Sequence, residues 1–171
     1  MRRLIIFFVL MTFCSITIAQ HTDTDTIGRR LNGIHLNFLG DISLFSLHYE
    51  RSFPINAELF LTAKFGIGQN QEFEICFSGS CGPRDKYLTI PHHVTANLGS
   101  GRLHFEGGIG ATFVSGNQEQ AYLVYPILGL RLVPRNPKKV IFRLFACPAS
   151  VEPDELDIIV PPIGLSFGLG F

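Results

Sequence analysis

The stretch that decides the fold is "IGLSFGLGF", Ile163–Phe171, the last nine residues of a 171-residue chain. Ile163, Leu165, Phe167, Leu169 and Phe171 are large and apolar, while Gly164, Ser166, Gly168 and Gly170 are small. Successive side chains of a β-strand point to opposite faces. The stretch therefore reads as a strand that is greasy on one side and almost bare on the other. The fold then turns on which side faces in.

Working back from that strand, the chain divides into short alternating segments separated by turn residues. Eight strands are expected: Gly33–Leu39, Ser43–Phe53, Glu58–Gly68, Tyr87–Leu98, Arg102–Phe113, Ala121–Val133, Val140–Cys147 and Ile158–Phe171. The connections between them are "GD", "PIN", the long polar insert "QNQEFEICFSGSCGPRDK", "GSG", "SGNQEQ", "PRNPKK" and "PASVEPDELD". No stretch repeats apolar residues at helical spacing for long enough to form a helix. Apolar residues make up 46% of the chain and charged ones 16%, a balance that excludes a disordered polypeptide. The expected fold class is all-β: a closed, antiparallel, up-and-down barrel of eight strands that leaves no raw edge.

A soluble barrel puts its large apolar side chains inside, and a membrane barrel puts them outside. In the fifth segment Leu103, Phe105, Ile109, Ala111 and Phe113 oppose His104, Glu106, Gly108, Gly110 and Thr112. In the fourth, Leu88, Ile90, Val94, Ala96 and Leu98 oppose Thr89, His93, Thr95 and Asn97. In the third, Leu59, Leu61, Ala63, Phe65 and Ile67 oppose Phe60, Thr62, Lys64, Gly66 and Gly68. In the second, Phe45, Leu47 and Tyr49 oppose Ser46, His48 and Glu50. The sixth and seventh segments are less clean, with Ile141 and Phe145 blurring the pattern.

The polar faces hold few charges among many Gly, Ser and Thr, which suits a narrow lumen rather than open water. An eight-stranded barrel is just wide enough for side chains to fill it, and charges in such a space must be paired. The expected lumen network is Glu50, Lys64, His93, Glu106, Arg131 and Arg143, with His48 and His104 nearby. Two acids face three bases. Four of them, Glu50, Glu106, Arg131 and Arg143, fall toward the ends of their strands nearest the chain termini. A four-residue turn from Leu98 to Gly101 predicts that Asn97 faces Arg102, Thr95 faces His104 and His93 faces Glu106, in contact within the lumen.

The N-terminus reads as a signal peptide, residues 1–19. Arg2 and Arg3 precede an apolar run from Leu4 to Cys14, and Thr17 and Ala19 are the small residues before a cut. Cleavage after Gln20 is the alternative. A polar lead-in, residues 20–31, then precedes the barrel domain, residues 32–171. Removing residues 1–19 takes away two Arg and no acid. The remaining 12 basic and 14 acidic residues give a formal charge of −2, no footing for nucleic acid. In an exported protein, Cys76 and Cys81 in "CFSGSC" read as a small disulfide across a loop. Cys147 reads as a small buried filler.

The signal peptide, the eight segments, "SLHYERSF" in the second and the terminal "GLSFGLGF" together resemble the small eight-stranded outer-membrane β-barrel proteins of Gram-negative bacteria. The resemblance covers Gly33–Phe171. It implies location in the bacterial outer membrane with both termini in the periplasm, and outer-membrane lipid as the surrounding partner. It also implies recognition of Leu165, Phe167, Leu169 and Phe171 by the barrel-assembly machinery. The chain has four Tyr and no Trp, so Phe has to supply the aromatic girdle of that family.

No motif calls for a cofactor or a catalytic role. "GGIG" (Gly107–Gly110) opens no helix, so it is no phosphate loop. His92 and His93 are adjacent in a strand and point apart, so they do not share a metal. The lipid deacylases that share this membrane fold carry a His-x-Ser pair, and no His here has one. Eight strands leave no wide channel. The expected role is a non-enzymatic envelope component whose outer loops, chiefly Gln69–Lys86, face outward. Two alternatives remain: a soluble exported barrel with an apolar ligand inside, and a lipid-modifying outer-membrane enzyme.

Overall fold

The structure, a computed structural model, describes residues 31–71, 85–116, 121–133, 140–148 and 160–171. They form β1 (Asn32–Phe38), β2 (Phe45–Pro54), β3 (Leu59–Gln71), β4 (Lys86–Leu98), β5 (Leu103–Ser115), β6 (Ala121–Leu132), β7 (Val140–Ala146) and β8 (Ile163–Gly170). Each strand pairs antiparallel with the next, and β8 closes onto β1. The protein is thus an all-β, eight-stranded, up-and-down barrel. Residues 1–30, which hold the expected signal peptide and nearly all of the lead-in, lie outside the described residues, as do Cys76 and Cys81.

The ladder is strongly staggered. From Leu36 the paired positions run one way through Leu47 and Ile67 to Ile90, Phe113 and Tyr122 on β6. The step from Ile67 to Ile90 continues the register set by Phe65 with His92 and Gly68 with Thr89. The other way, the positions run through Phe167 and Phe142 to Leu132, also on β6. The two walks arrive ten residues apart on one strand, Tyr122 against Leu132. A stagger of that size tilts the strands steeply across the barrel axis and fixes an interior wide enough for packed side chains.

Sidedness is unambiguous. Leu165, Phe167, Leu169 and Phe171 point outward, while Gly164, Ser166, Gly168 and Gly170 point in. Among the described residues thirty large apolar side chains are exposed and eleven apolar residues are buried, against twenty buried polar or charged ones. The barrel is therefore inside-out relative to a water-soluble fold. The bare face of β8 has a steric cause. A Cβ at Gly168 would run into the His35 ring on β1, and one at Gly164 into Phe145 on β7. The small residues of β8 make room for bulky neighbours on both flanks.

Two expectations are corrected. The strand limits differ: β3 runs on to Gln71 and β5 to Ser115, and the described part of the last segment becomes strand only at Ile163. Pro161 and Pro162, just before it, lack the N–H that a ladder needs. More consequential is the β4–β5 register. Asn97 lies opposite Glu106, Thr95 opposite Gly108 and His93 opposite Gly110, a shift of four from the expected pairing. The Gly99 N–H donates to the Glu58 carbonyl (2.9 Å), so β4 keeps its bonds to the β3 side beyond Leu98. The reversal then takes six residues between Leu98 and Phe105, turning at Gly101 with φ +86°. An even shift keeps every side chain on its face, so His93 and Glu106 both point inward yet take other partners.

The lumen as candidate functional site

The barrel has a terminal end, where β1 starts and β8 finishes, and an opposite loop end. Toward the terminal end the lumen is charged. Arg131 Nη1 donates to Glu50 Oε2 at 3.0 Å, and its Nη2 donates to Oε1 of the same carboxylate, a bidentate pair. Lys64 Nζ stands 4.0 Å and His35 Nε2 3.4 Å from that carboxylate. Arg143 Nε donates to Glu106 Oε2, and Thr95 Oγ1 donates to Glu106 Oε1 at 2.7 Å. The Thr62 and Thr95 hydroxyls are 2.6 Å apart. The Arg143 guanidinium also lies 4.2 Å from the centre of the Phe145 ring, a cation–π contact.

Toward the loop end the lumen turns apolar. Ile42, Tyr87, Val114, Tyr125, Ile127, Phe145 and Cys147 pack as one buried cluster, with Leu123 and Val160 against it. Phe145 blurs the alternation of β7 because it faces inward into this apolar layer, and Ile141 faces inward as well, nearer the terminal end: this lumen is polar only over part of its height.

Between the two layers sits Asp41, which belongs to the "GD" connection and to none of the expected strand faces. The β1–β2 turn folds into the mouth of the barrel rather than away from it. Asp41 is fully buried, with His93 Nε2 at 2.9 Å and His48 Nε2 at 3.4 Å from its carboxylate. Asn37 Nδ2 donates to Asp41 Oδ2 and lies 3.1 Å from His48 Nε2, and the Ser46 hydroxyl is 2.7 Å from that same nitrogen. Burial alone would raise the Asp41 carboxyl, but the His93 and His48 imidazoles beside it hold it well below the usual carboxylate range. The backbone of the turn is also tied down. Thr112 Oγ1 donates to the Asp41 carbonyl (2.8 Å), the Asp41 N–H to Cys147 Sγ (3.4 Å) and Asn70 Nδ2 to the Ile42 carbonyl (2.9 Å).

The inward turn is strained. Leu39, Gly40, Asp41 and Ile42 have φ of 59°, 73°, 54° and 54° in succession. Glycine takes such values freely, and a Cβ at Gly40 would meet the Phe145 ring at 2.8 Å. For each of the other three the left-handed region costs about 1–2 kcal/mol, and a β-branched Ile there is a genuine outlier.

All six residues of the expected network are buried in the lumen. Five of them, Glu50, Lys64, Glu106, Arg131 and Arg143, make up the two charged groups nearest the terminal end, and His93 instead joins Asp41. The expected imbalance of two acids against three bases is removed by Asp41, which makes three of each. That imbalance, with two inward histidines lacking an acid, was the signal that could have exposed it. Leu165, Phe167 and Leu169 line the outer face of β8, and Phe171 is exposed just past its end. Cys147 is free and buried.

One line of residues has the order of a hydrolase triad: the Ser166 hydroxyl lies 3.3 Å from His35 Nδ1, and His35 Nε2 is 3.4 Å from Glu50. Its serine is wholly buried, and Glu50 is engaged by Arg131. Among the described residues no three His, Cys, Asp or Glu side chains are arranged to hold a metal. Compared with known proteins, the chain matches no family model, no curated protein and no solved structure.

Proposed function

We propose that this protein is an integral outer-membrane β-barrel, a non-enzymatic component of a Gram-negative envelope with a lumen filled by its own side chains. The observation that carries the reading is the inverted sidedness. A ring of Leu, Ile, Val and Phe faces outward on every strand while Arg131, Arg143, Glu50, Glu106 and Lys64 are sealed inside. Exposed apolar patches on monomeric soluble proteins rarely exceed a few hundred Å², and a belt around the whole circumference calls for hydrocarbon. Strands of twelve or thirteen residues, as in β3 to β6, rise roughly 30 Å when tilted by about 40°, enough for the apolar band of such barrels.

In this reading the termini lie in the periplasm. The loop end of the barrel then faces outward, and Leu165, Phe167, Leu169 and Phe171 serve as the address read during assembly. The packed lumen argues for a wall-like role over conduction. The test is fractionation of cells expressing the full chain. Recovery in the outer membrane, extractable only with detergent and with heat-dependent migration on gels, supports it. Recovery in the soluble periplasm without detergent overturns it in favour of a soluble exported barrel.

A further inference from the structure

We infer that the β1–β2 turn, Leu39–Leu44, is a spring-loaded cap on the loop end of the barrel, with Asp41 as its latch. Two independent features meet in these six residues. The backbone holds three non-glycine residues in the left-handed region in near succession, so the turn would relax if it were let go. Against that strain stand contacts that radiate from one short segment to most of the barrel wall. Asp41 reaches His48 on β2 and His93 on β4, its backbone reaches Thr112 on β5 and Cys147 beyond β7, Asn70 on β3 holds the Ile42 carbonyl, and Ser43 meets Thr89 on β4 at 2.6 Å. Strained backbone persists only where its surroundings over-determine it, and it gathers at switch segments and ligand clamps.

What the cap covers gives the device its use. Ile42 is the part of the turn that enters the apolar cluster, where it packs with Tyr87, Val114, Tyr125, Ile127 and Phe145. Lifting the turn withdraws Ile42 and leaves a chamber at the loop end lined by those five side chains. Below it the Glu50–Arg131 and Glu106–Arg143 pairs remain in place. The device therefore opens a blind apolar pocket rather than a pore. Its lining suits an apolar chain or ring entering from the loop end.

The molecule carries its own reporter. Cys147 lies directly under the turn, with its sulfur accepting from the Asp41 N–H. The experiment treats the folded full-length barrel in detergent with a small neutral methanethiosulfonate and follows modification of the Cys147 peptide by mass, so that Cys76 and Cys81 are read separately. Asp41→Ala and Asp41→Asn are expected to speed Cys147 modification at least tenfold while the barrel keeps its heat-modifiable gel migration. Leu39→Gly is the counterpart. Leu39 is half-exposed, so its removal gives up little buried contact while the strain at φ 59° is relieved, and modification is expected to slow severalfold. An unchanged rate in Asp41→Ala overturns the latch. An unchanged or faster rate in Leu39→Gly overturns the spring, and that variant remains informative if the Asp41 variants do not fold. The outcome does not depend on where in the cell the barrel resides.

Discussion

Removing the Glu50 carboxylate is the sharpest test of how the lumen is held together. In Glu50→Gln the side chain keeps its size and loses its charge. Arg131, bonded to both of its oxygens, is left buried with no acid at contact distance, and Lys64 and His35 lose the same partner. At the 3.0 Å of the Arg131–Glu50 contact, two unit charges attract by about 5 kcal/mol at an effective permittivity of about 20. Breaking a buried pair by removing one partner costs about 3–5 kcal/mol. Glu50→Gln is therefore expected to lower unfolding stability in lipid vesicles by about 3–5 kcal/mol. With a urea dependence of about 2 kcal/mol per molar, the midpoint falls by roughly 2 M. Arg131→Met should cost less, because Lys64 is already 4.0 Å from Glu50 and can close on it. The double variant should recover part of the loss, with a coupling energy of about 1–3 kcal/mol. A Glu50→Gln midpoint within a few tenths molar of the parent would refute the idea that this carboxylate is the hub of the terminal-end network.

Further expectations concern the wall, the seam and the thiol. Phe65 is 61% exposed near the middle of β3. If the barrel spans a membrane as proposed, Phe65→Arg should destabilise it by about 2–4 kcal/mol, measured by folding into vesicles, whereas a soluble barrel would tolerate it. Gly168→Val forces a branched side chain into the His35 ring, and overpacking of this kind costs about 1–3 kcal/mol or blocks closure; the yield of heat-modifiable species reads it. Burial pushes the Cys147 thiol up to about 11. The thiolate is the reactive form, so in the folded protein the modification rate should keep climbing with pH past 9 and level off only near 11, while the unfolded chain levels off near its ordinary value. A plateau near pH 9 in the folded protein would contradict this.

The fold was legible because its two faces differ so sharply. In β5, Phe105 and Ile109 against Glu106 and Gly110 establish inside and outside without any knowledge of pairing, and the same parity places Lys64 and His93 in the lumen. Parity says nothing about register, however. A slip of four residues preserves every face, and it takes the ladder itself, with Leu98 opposite Phe105 and Gly99 bonded to Glu58, to show that the hairpin after Leu98 is wide. Asp41 was hidden for a different reason. "GD" is ordinary turn vocabulary, and nothing in a dipeptide reveals that its backbone turns inward through a run of left-handed residues. Tyr125, Ile127 and Phe145 were obscured because alternation assumes a polar lumen throughout, and this one changes character along its height.

The bare face of β8 has a consequence for the order of events during folding. This strand contributes only Gly164, Ser166, Gly168 and Gly170 to the interior, while the bulk that fills the space beside it, His35 and Phe145, belongs to β1 and β7. Seven strands can therefore settle their side chains among themselves before the eighth arrives. The last strand then docks like a smooth batten into a finished hull. It has to match hydrogen bonds on both flanks, and only Ser166 brings an interior side chain that needs a place.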